Sequence, residues 1–540
     1  MVSFKKLLVK HHLVVLGFLL FILMFFLTPI YGTTDDFILD SWLNGTYTGD
    51  FERDSIFISS YASNFFSFLY TLNNVIPWYS VILLILNYIS VIYIITQIKK
   101  NENISVSNYF ILLTLIFFFL IWSYIRITYT ATGIILAIAG LISFYYSIKQ
   151  VNKKLRISSV IFSFLAFAIR PESLIAAVVF FYPIFIFSFY NHKAFLKKSL
   201  ILLSSIFLIY GLNWYIESKQ QDEFKEFRIW AKEVQSFAGR PTMEIVASNI
   251  GNSGWTTSEY NSFKDLTYFD PKIFNVKWID SGLALTKNYY FKPNLELNNV
   301  VKIIGNIYSS FGIFIISFLF IFLFVYEKYN KNKKIIIFLS TNFILMNFLL
   351  GLYFQNVARV SVPILIGLII FLATISGKTT NKYATAILSF VTITYLTFSM
   401  YNLNYENIQK KLKNSNNTNF ININFANNII LIHGNQEFAQ FSNPYQLNKV
   451  DSNPNVFMVG NWDTFSPHWY KRADNLGING KDLTNELINN EKILWTAPSI
   501  PDTSFNLKNL LKEQGYGEVD AVRIESLPDG NDIRKFSLKE

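Results

Sequence analysis

Two adjacent carboxylates, Asp35 and Asp36, and a third at Asp40 follow the first long apolar run of the chain, in Tyr31-Gly32-Thr33-Thr34-Asp35-Asp36-Phe37-Ile38-Leu39-Asp40. A carboxylate held at a lipid boundary can take the proton of a hydroxyl nucleophile. If 35–44 is helical, Asp36, Asp40 and Asn44 share one face, while Phe37, Ile38 and Trp42 lie away from it. Such a helix would lie along the membrane surface and offer its acids to chemistry there. The bland alternative is a solvated loop that ends the first helix.

Three arginines, Arg126, Arg170 and Arg359, stand in short loops between apolar runs. Guanidinium groups at one depth can converge on a phosphate or pyrophosphate, whose geometry they match. Singly, each could instead snorkel to headgroups or pair with a local acid. In Arg170-Pro171-Glu172-Ser173, Pro in a first helical turn and an acid favoured by the dipole account for Glu172. They do not account for Arg170, which suits an anion at that helix start. Asp463, in Gly460-Asn461-Trp462-Asp463-Thr464, is a binding candidate, although capping the following helix explains it more simply.

The elements that position these residues follow from composition. Of 540 residues, 52% are hydrophobic and only 15% charged, which marks a polytopic membrane protein. Apolar runs of spanning length fall near 12–30, 76–97, 107–124, 129–147, 157–170, 173–189, 199–214, 303–325, 335–352, 358–376 and 383–400, about eleven in all. The runs at 157–170 and 173–189 are two helices or one helix broken at Arg170-Pro171-Glu172. Lys-rich loops alternate with Lys-poor ones, so the N-terminus is expected in the cytoplasm and the C-terminus outside. The net charge of +11 is therefore a topogenic signal and not a nucleic-acid footprint. With no cysteine, disulfides and thiolate metal sites are excluded.

The expected organisation is a transmembrane domain over 1–400 with external loops at 31–75 and 215–302. The loops carry surface helices near 56–72 and 217–234. An Asn- and Lys-rich linker covers 401–426, and a small extracytoplasmic α/β domain covers 427–540. In that domain strands are expected at 429–432, 456–459, 493–496 and 519–524, with helices near 481–489 and 504–514. No Walker A, GxGxxG, HExxH or GxSxG pattern is present. Ionisable residues avoid the middle of the spans, which argues against a coupled transporter.

The order of a first span, an external acidic pair, surface helices, many spans and an external α/β domain resembles the GT-C superfamily of membrane glycosyltransferases. Thr34-Asp35-Asp36 and Arg170-Pro171-Glu172 carry the resemblance. The segments Gly254-Trp255-Thr256-Thr257-Ser258-Glu259-Tyr260 and Asn461-Trp462-Asp463-Thr464 look like those of membrane proteins from Gram-positive surface-polysaccharide loci. The protein mannosyltransferases pair Asp with Glu, whereas this chain has Asp35-Asp36.

The resemblance implies a polyprenyl-phosphate-linked sugar donor and a cell-surface glycan or lipid acceptor. It implies a first-loop acid as base and cations on the leaving phosphate. Asp36 is expected as the base because it shares a face with Asp40, and Asp35 stands close behind. Asp40, Arg126, Arg170, Glu172, Arg359 and Glu259 are expected to bind substrate. No cofactor is required, and the clustered carboxylates could take Mg or Mn without the spacing demanding it. The alternatives are a repeat-unit polymerase and a non-enzymatic lipid-linked-glycan flippase.

Overall fold

The computed structural model describes residues 17–100, 106–150, 152–189, 193–238, 246–286, 358–376, 382–433, 442–446, 455–498 and 503–539, with a few positions between 337 and 345. The expected span at 303–325 lies outside the described residues, and that at 335–352 almost wholly so. Among the described residues, three helices are long and apolar enough to cross a membrane: Trp78–Lys99, Tyr129–Gln150 and Phe195–Glu217. Shorter apolar helices cover Leu112–Ile125, Pro171–Ile186 and Ala358–Leu372.

Residues 17–24 are helical and lead to strand β1 (Ile30–Tyr31) and helix α1 (Thr34–Leu43). Thr33 starts α1 by accepting the Asp36 N–H at 3.2 Å, and Asp35 and Asp36 in the first turn complement the helix dipole. Helices α2 (Ser60–Leu72), α3 (Trp78–Lys99) and α4 (Val106–Ile125) follow, then strand β2 (Arg126–Ile127), parallel to β1. Helix α5 (Tyr129–Gln150) is buried along its apolar length and forms the axis of the bundle. Helices α6 (Lys153–Ile169) and α7 (Pro171–Phe189) are separate, with Arg170 extended between them at φ −158°. Helix α8 (Lys193–Glu217) keeps most of its apolar surface exposed, as a lipid-facing helix would.

An amphipathic helix, α9 (Asp222–Ala238), then leads to α10 (Ile250–Ser253), α11 (Thr257–Lys264) and α12 (Val276–Thr286). Helix α13 (Ala358–Ser376) rejoins the bundle against α5. Residues 401–426, expected as a linker, instead fall almost entirely in one 43-residue helix, α14 (Lys382–Asn424). No Gly or Pro interrupts that sequence. Its middle is also tied to the bundle by Asn407, which donates to Thr28 O at 3.0 Å and Ile125 O at 3.3 Å.

A five-stranded sheet closes the chain: β3 (Ile429–His433), β4 (Val456–Val459), β5 (Ile493–Pro498), β6 (Val519–Ser526) and β7 (Asn531–Leu538), in the order β4-β3-β5-β7-β6. The first three strands are parallel and β7 runs antiparallel to β5 and β6. Helices α15 (Pro467–Asn475), α16 (Leu483–Asn489) and α17 (Thr503–Glu513) accompany it. The loop after β4 turns at Gly460, φ +71°, where a Cβ would collide with the Leu266 carbonyl. That close approach carries Trp462 against Trp42 of α1 and Asp463 against Tyr47 just beyond it.

Candidate active site

Helix α1 is locked by its inner face. Asp36 is fully buried, and its Oδ1 accepts the Tyr79 hydroxyl at 2.8 Å and the Tyr129 N–H at 2.9 Å. Its Oδ2 accepts the Thr33 hydroxyl at 2.6 Å. One turn on, Asp40 accepts the Tyr31 hydroxyl at 2.5 Å and the Tyr70 hydroxyl at 2.7 Å. Tyr70 Oη also accepts the Tyr79 N–H at 3.1 Å, joining the two acid sockets. Burial first of all pushes both carboxyls up to about 6, against the pull of these hydrogen bonds.

Asp36 and Asp40, expected to face the chemistry, are placed on the inner face of α1. The face they share is the one that docks on α2, α3, α5 and β1, and both carboxylates are buried there. Asp35, a 100° step round the helix, is left part-exposed at 24% and faces Arg359 Nη1 at 3.7 Å. Burial raises the Asp35 pKa, opposed by the Arg359 and Arg170 charges. The indole of Trp462 also lies close enough to favour the ionised form without completing a hydrogen bond.

Arg170 lies between two rings, its guanidinium carbon 5.2 Å from the Phe57 centroid and 5.1 Å from that of Tyr129. Its Nη1 donates to Phe57 O and to Tyr129 Oη, each at 3.4 Å, and its Nε pairs with Glu172 at 3.0 Å. Gly133 permits this approach: a Cβ there would sit 2.9 Å from Ser173 Cβ and 3.0 Å from Arg170 Cβ. Phe57 continues the ring cluster to Trp462 at 4.5 Å, and Trp462 meets Trp42 at 5.0 Å. Asp35, Arg359, Arg170, Phe57, Tyr129 and Trp462 therefore form one centre.

The other expected residues have different partners. Arg126 turns away to Glu406 at 3.2 Å and Asn407 at 3.4 Å, so the three arginines do not converge. Its neighbour in the fold is α14, which composition had marked as linker. Glu259 forms a capping box with Thr256, and its Oε2 also accepts the Trp278 indole N–H at 3.1 Å. These contacts hold α11 and α12 together. Asp463 does not cap α15; Ser466 does, accepting the Trp469 N–H at 2.9 Å.

Asp463 is instead fully buried, accepting the Tyr47 hydroxyl at 2.8 Å on Oδ2, with Oδ1 unpartnered among the described residues. Burial, with a smaller contribution from the Asp35 charge, pushes it up to about 7. Among the described residues no group of three or more His, Cys, Asp or Glu converges as a metal site would require.

Phe57, Tyr129 and Trp462 were not foreseen as parts of this centre, nor Thr33 as the cap of the helix that bears Asp35. Thr33 carries a legible signal, an N-cap residue just before the acids. The aromatic residues carry none, because their placement depends on contacts between distant segments.

No family model matches the chain, and no curated protein sequence is similar to it. Two solved structures align along nearly its whole length. One is ArnT from Cupriavidus metallidurans in the apo state, with TM-score 0.42 and 10% identity, covering 97% of this chain and 98% of that one. The other is ArnT from the same organism bound to undecaprenyl phosphate, with TM-score 0.39 and 10% identity, covering 96% and 97%.

Proposed function

We propose that the chain is a polytopic membrane glycosyltransferase of the GT-C kind, with its N-terminus in the cytoplasm and its C-terminal sheet outside. It moves a sugar from a polyprenyl phosphate to a hydroxyl of a cell-surface glycan or lipid. One observation carries this reading. The one part-exposed carboxylate of the first acidic cluster faces Arg359 and lies beside Arg170, at one end of a set of apolar helices.

The acceptor oxygen attacks the anomeric carbon as the bond from that carbon to the phosphate oxygen breaks. Asp35 takes the acceptor proton, and the polyprenyl phosphate leaves with the bonding electron pair. Arg359 and Arg170 stabilise the charge that grows on it. A single in-line displacement inverts the anomeric centre. At 3.7 Å the Asp35–Arg359 pair is long, so an arriving phosphate can draw Arg359 toward itself and leave Asp35 the stronger base. Asp36 and Asp40 act by position, fixing the helix that presents Asp35. Their oxygens already accept five donors, which leaves Asp35 as the acid of this cluster to which a Mg or Mn ion could bind.

The test supplies the purified protein with either a polyprenyl monophosphate sugar or a pyrophosphate-linked oligosaccharide. Release of polyprenyl monophosphate matched by glycosylated acceptor supports the transferase. Consumption of the pyrophosphate substrate alone would make the chain a polymerase.

A further inference from the structure

Beside the Asp35 centre lies a cavity of about 430 Å³, walled by the segment 56–59 and by α6, α7, α8 and α9. That volume is in the range that accepts a small ligand or a headgroup. Phe57 divides the two sites: one wall of the cavity is Phe57, whose ring lies beneath the Arg170 guanidinium. Glu172 also bridges them, lining the cavity while pairing with Arg170.

The lining is part apolar and part polar. Ile175, Tyr210 and Trp214, on the apolar helices α7 and α8, are 57%, 56% and 65% exposed and border the cavity on its lipid-facing side. The polar part of the lining is Glu172 on α7, Glu217 on α8 and Arg228, Lys232 and Gln235 on α9. The two acids and two bases cancel. Glu217 and Arg228 are bound to each other at 2.5 Å, and Glu217 also accepts the Asn213 amide at 2.7 Å. Lys232 and Gln235 are exposed at the mouth.

The geometry points to a binding site for a glycolipid of the outer leaflet, with its hydroxyl-rich headgroup in the cavity and its chains against α7 and α8. A sugar both donates and accepts hydrogen bonds, which suits a lining of carboxylate, amide and ammonium groups without net charge. Its C–H faces suit the electron-rich faces of Trp214 and Tyr210. A phosphate headgroup would gain Lys232 but would meet the exposed carboxylate of Glu172 as well. The headgroup would then stop at Phe57, across the ring from Arg170. Its role as the second substrate rests on the transferase reading; its binding does not.

The full-length protein in phosphatidylcholine nanodiscs is labelled with a glucosyl diacylglycerol bearing a diazirine near its headgroup. The expected labels fall on 167–175 and 210–214. Unlabelled glucosyl diacylglycerol should compete, whereas diacylglycerol, phosphatidylglycerol and free glucose should not. Trp214→Ala with Gln235→Ala should weaken labelling about tenfold, a loss of ~1.4 kcal/mol. Trp214→Phe should restore most of it, since the aromatic face remains, and both side chains are exposed enough to replace without unfolding. Competition by phosphatidylglycerol, or labels spread along the lipid-facing helices and indifferent to Trp214→Ala, would overturn the site. Asp35→Asn protein should label normally, so a failure of transfer and a failure of this site can be told apart.

Discussion

Asp35 and Asp36 are consecutive residues with different surroundings: Asp35 keeps a part-exposed carboxylate 3.7 Å from Arg359, while Asp36 is sealed under three hydrogen-bond donors. The helix that bears both is oriented by the sealed one. Chemistry and positioning are thereby divided between neighbours, and the two can be separated by substitution.

Asp36→Asn and Asp40→Asn should act on stability. Each would set an amide N–H₂ against hydroxyl or backbone donors in a buried socket, costing about 1–3 kcal/mol per unsatisfied group. Thermal unfolding of the purified protein should show a lower midpoint for both, and for Asp35→Asn little change.

Arg359→Ala should cost on the order of 10²–10³ in turnover, the usual effect of removing one donor to developing charge. Arg126→Ala should leave turnover near wild type and instead loosen α14, because its partners are Glu406 and Asn407. Initial rates at saturating donor, beside proteolysis of α14, separate the two outcomes.

Much of this centre could be read from residue types, and the part that could not has a physical reason. The helix at 34–43 and the break at Arg170 follow from caps, dipole and proline rules that act within a turn or two. Which acid is exposed depends on Tyr31, Tyr70, Tyr79 and Tyr129, tyrosines no spacing rule singles out. The partners of Arg126 were not legible because they lie in α14, where Asn and Lys suggested a linker although nothing broke the helix. The capping box of Glu259 was legible too, since Thr256 stands three residues before it.

The acid limb of the pH–rate profile should lie above the ordinary carboxylate range, because Asp35 must be ionised to act and burial raises its pKa. Arg359 and Arg170 oppose that rise. A residual rate measured in Arg359→Lys, which keeps the charge, should show the same limb. Arg359→Gln, which removes the charge, should shift it to higher pH.

Asp463→Asn should alter how stability depends on pH. Its folded pKa of about 7 exceeds that of the unfolded chain, so its contribution is fully present at low pH and is lost as pH rises through 7. The Asn side chain can still accept the Tyr47 hydroxyl and carries no charge to bury. The variant should therefore match wild type near pH 4 and unfold at a higher temperature at pH 8. A parallel pair of stability curves would remove Asp463 as a buried titrating group.

The most direct measurement is the single-turnover rate of sugar transfer from a polyprenyl monophosphate donor by Asp35→Asn and Asp36→Asn, each normalised to folded protein in the membrane. With Asp35 as the base, Asp35→Asn loses transfer at full abundance, while correctly folded Asp36→Asn retains a measurable rate. Transfer preserved in Asp35→Asn and abolished in folded Asp36→Asn would contradict this assignment.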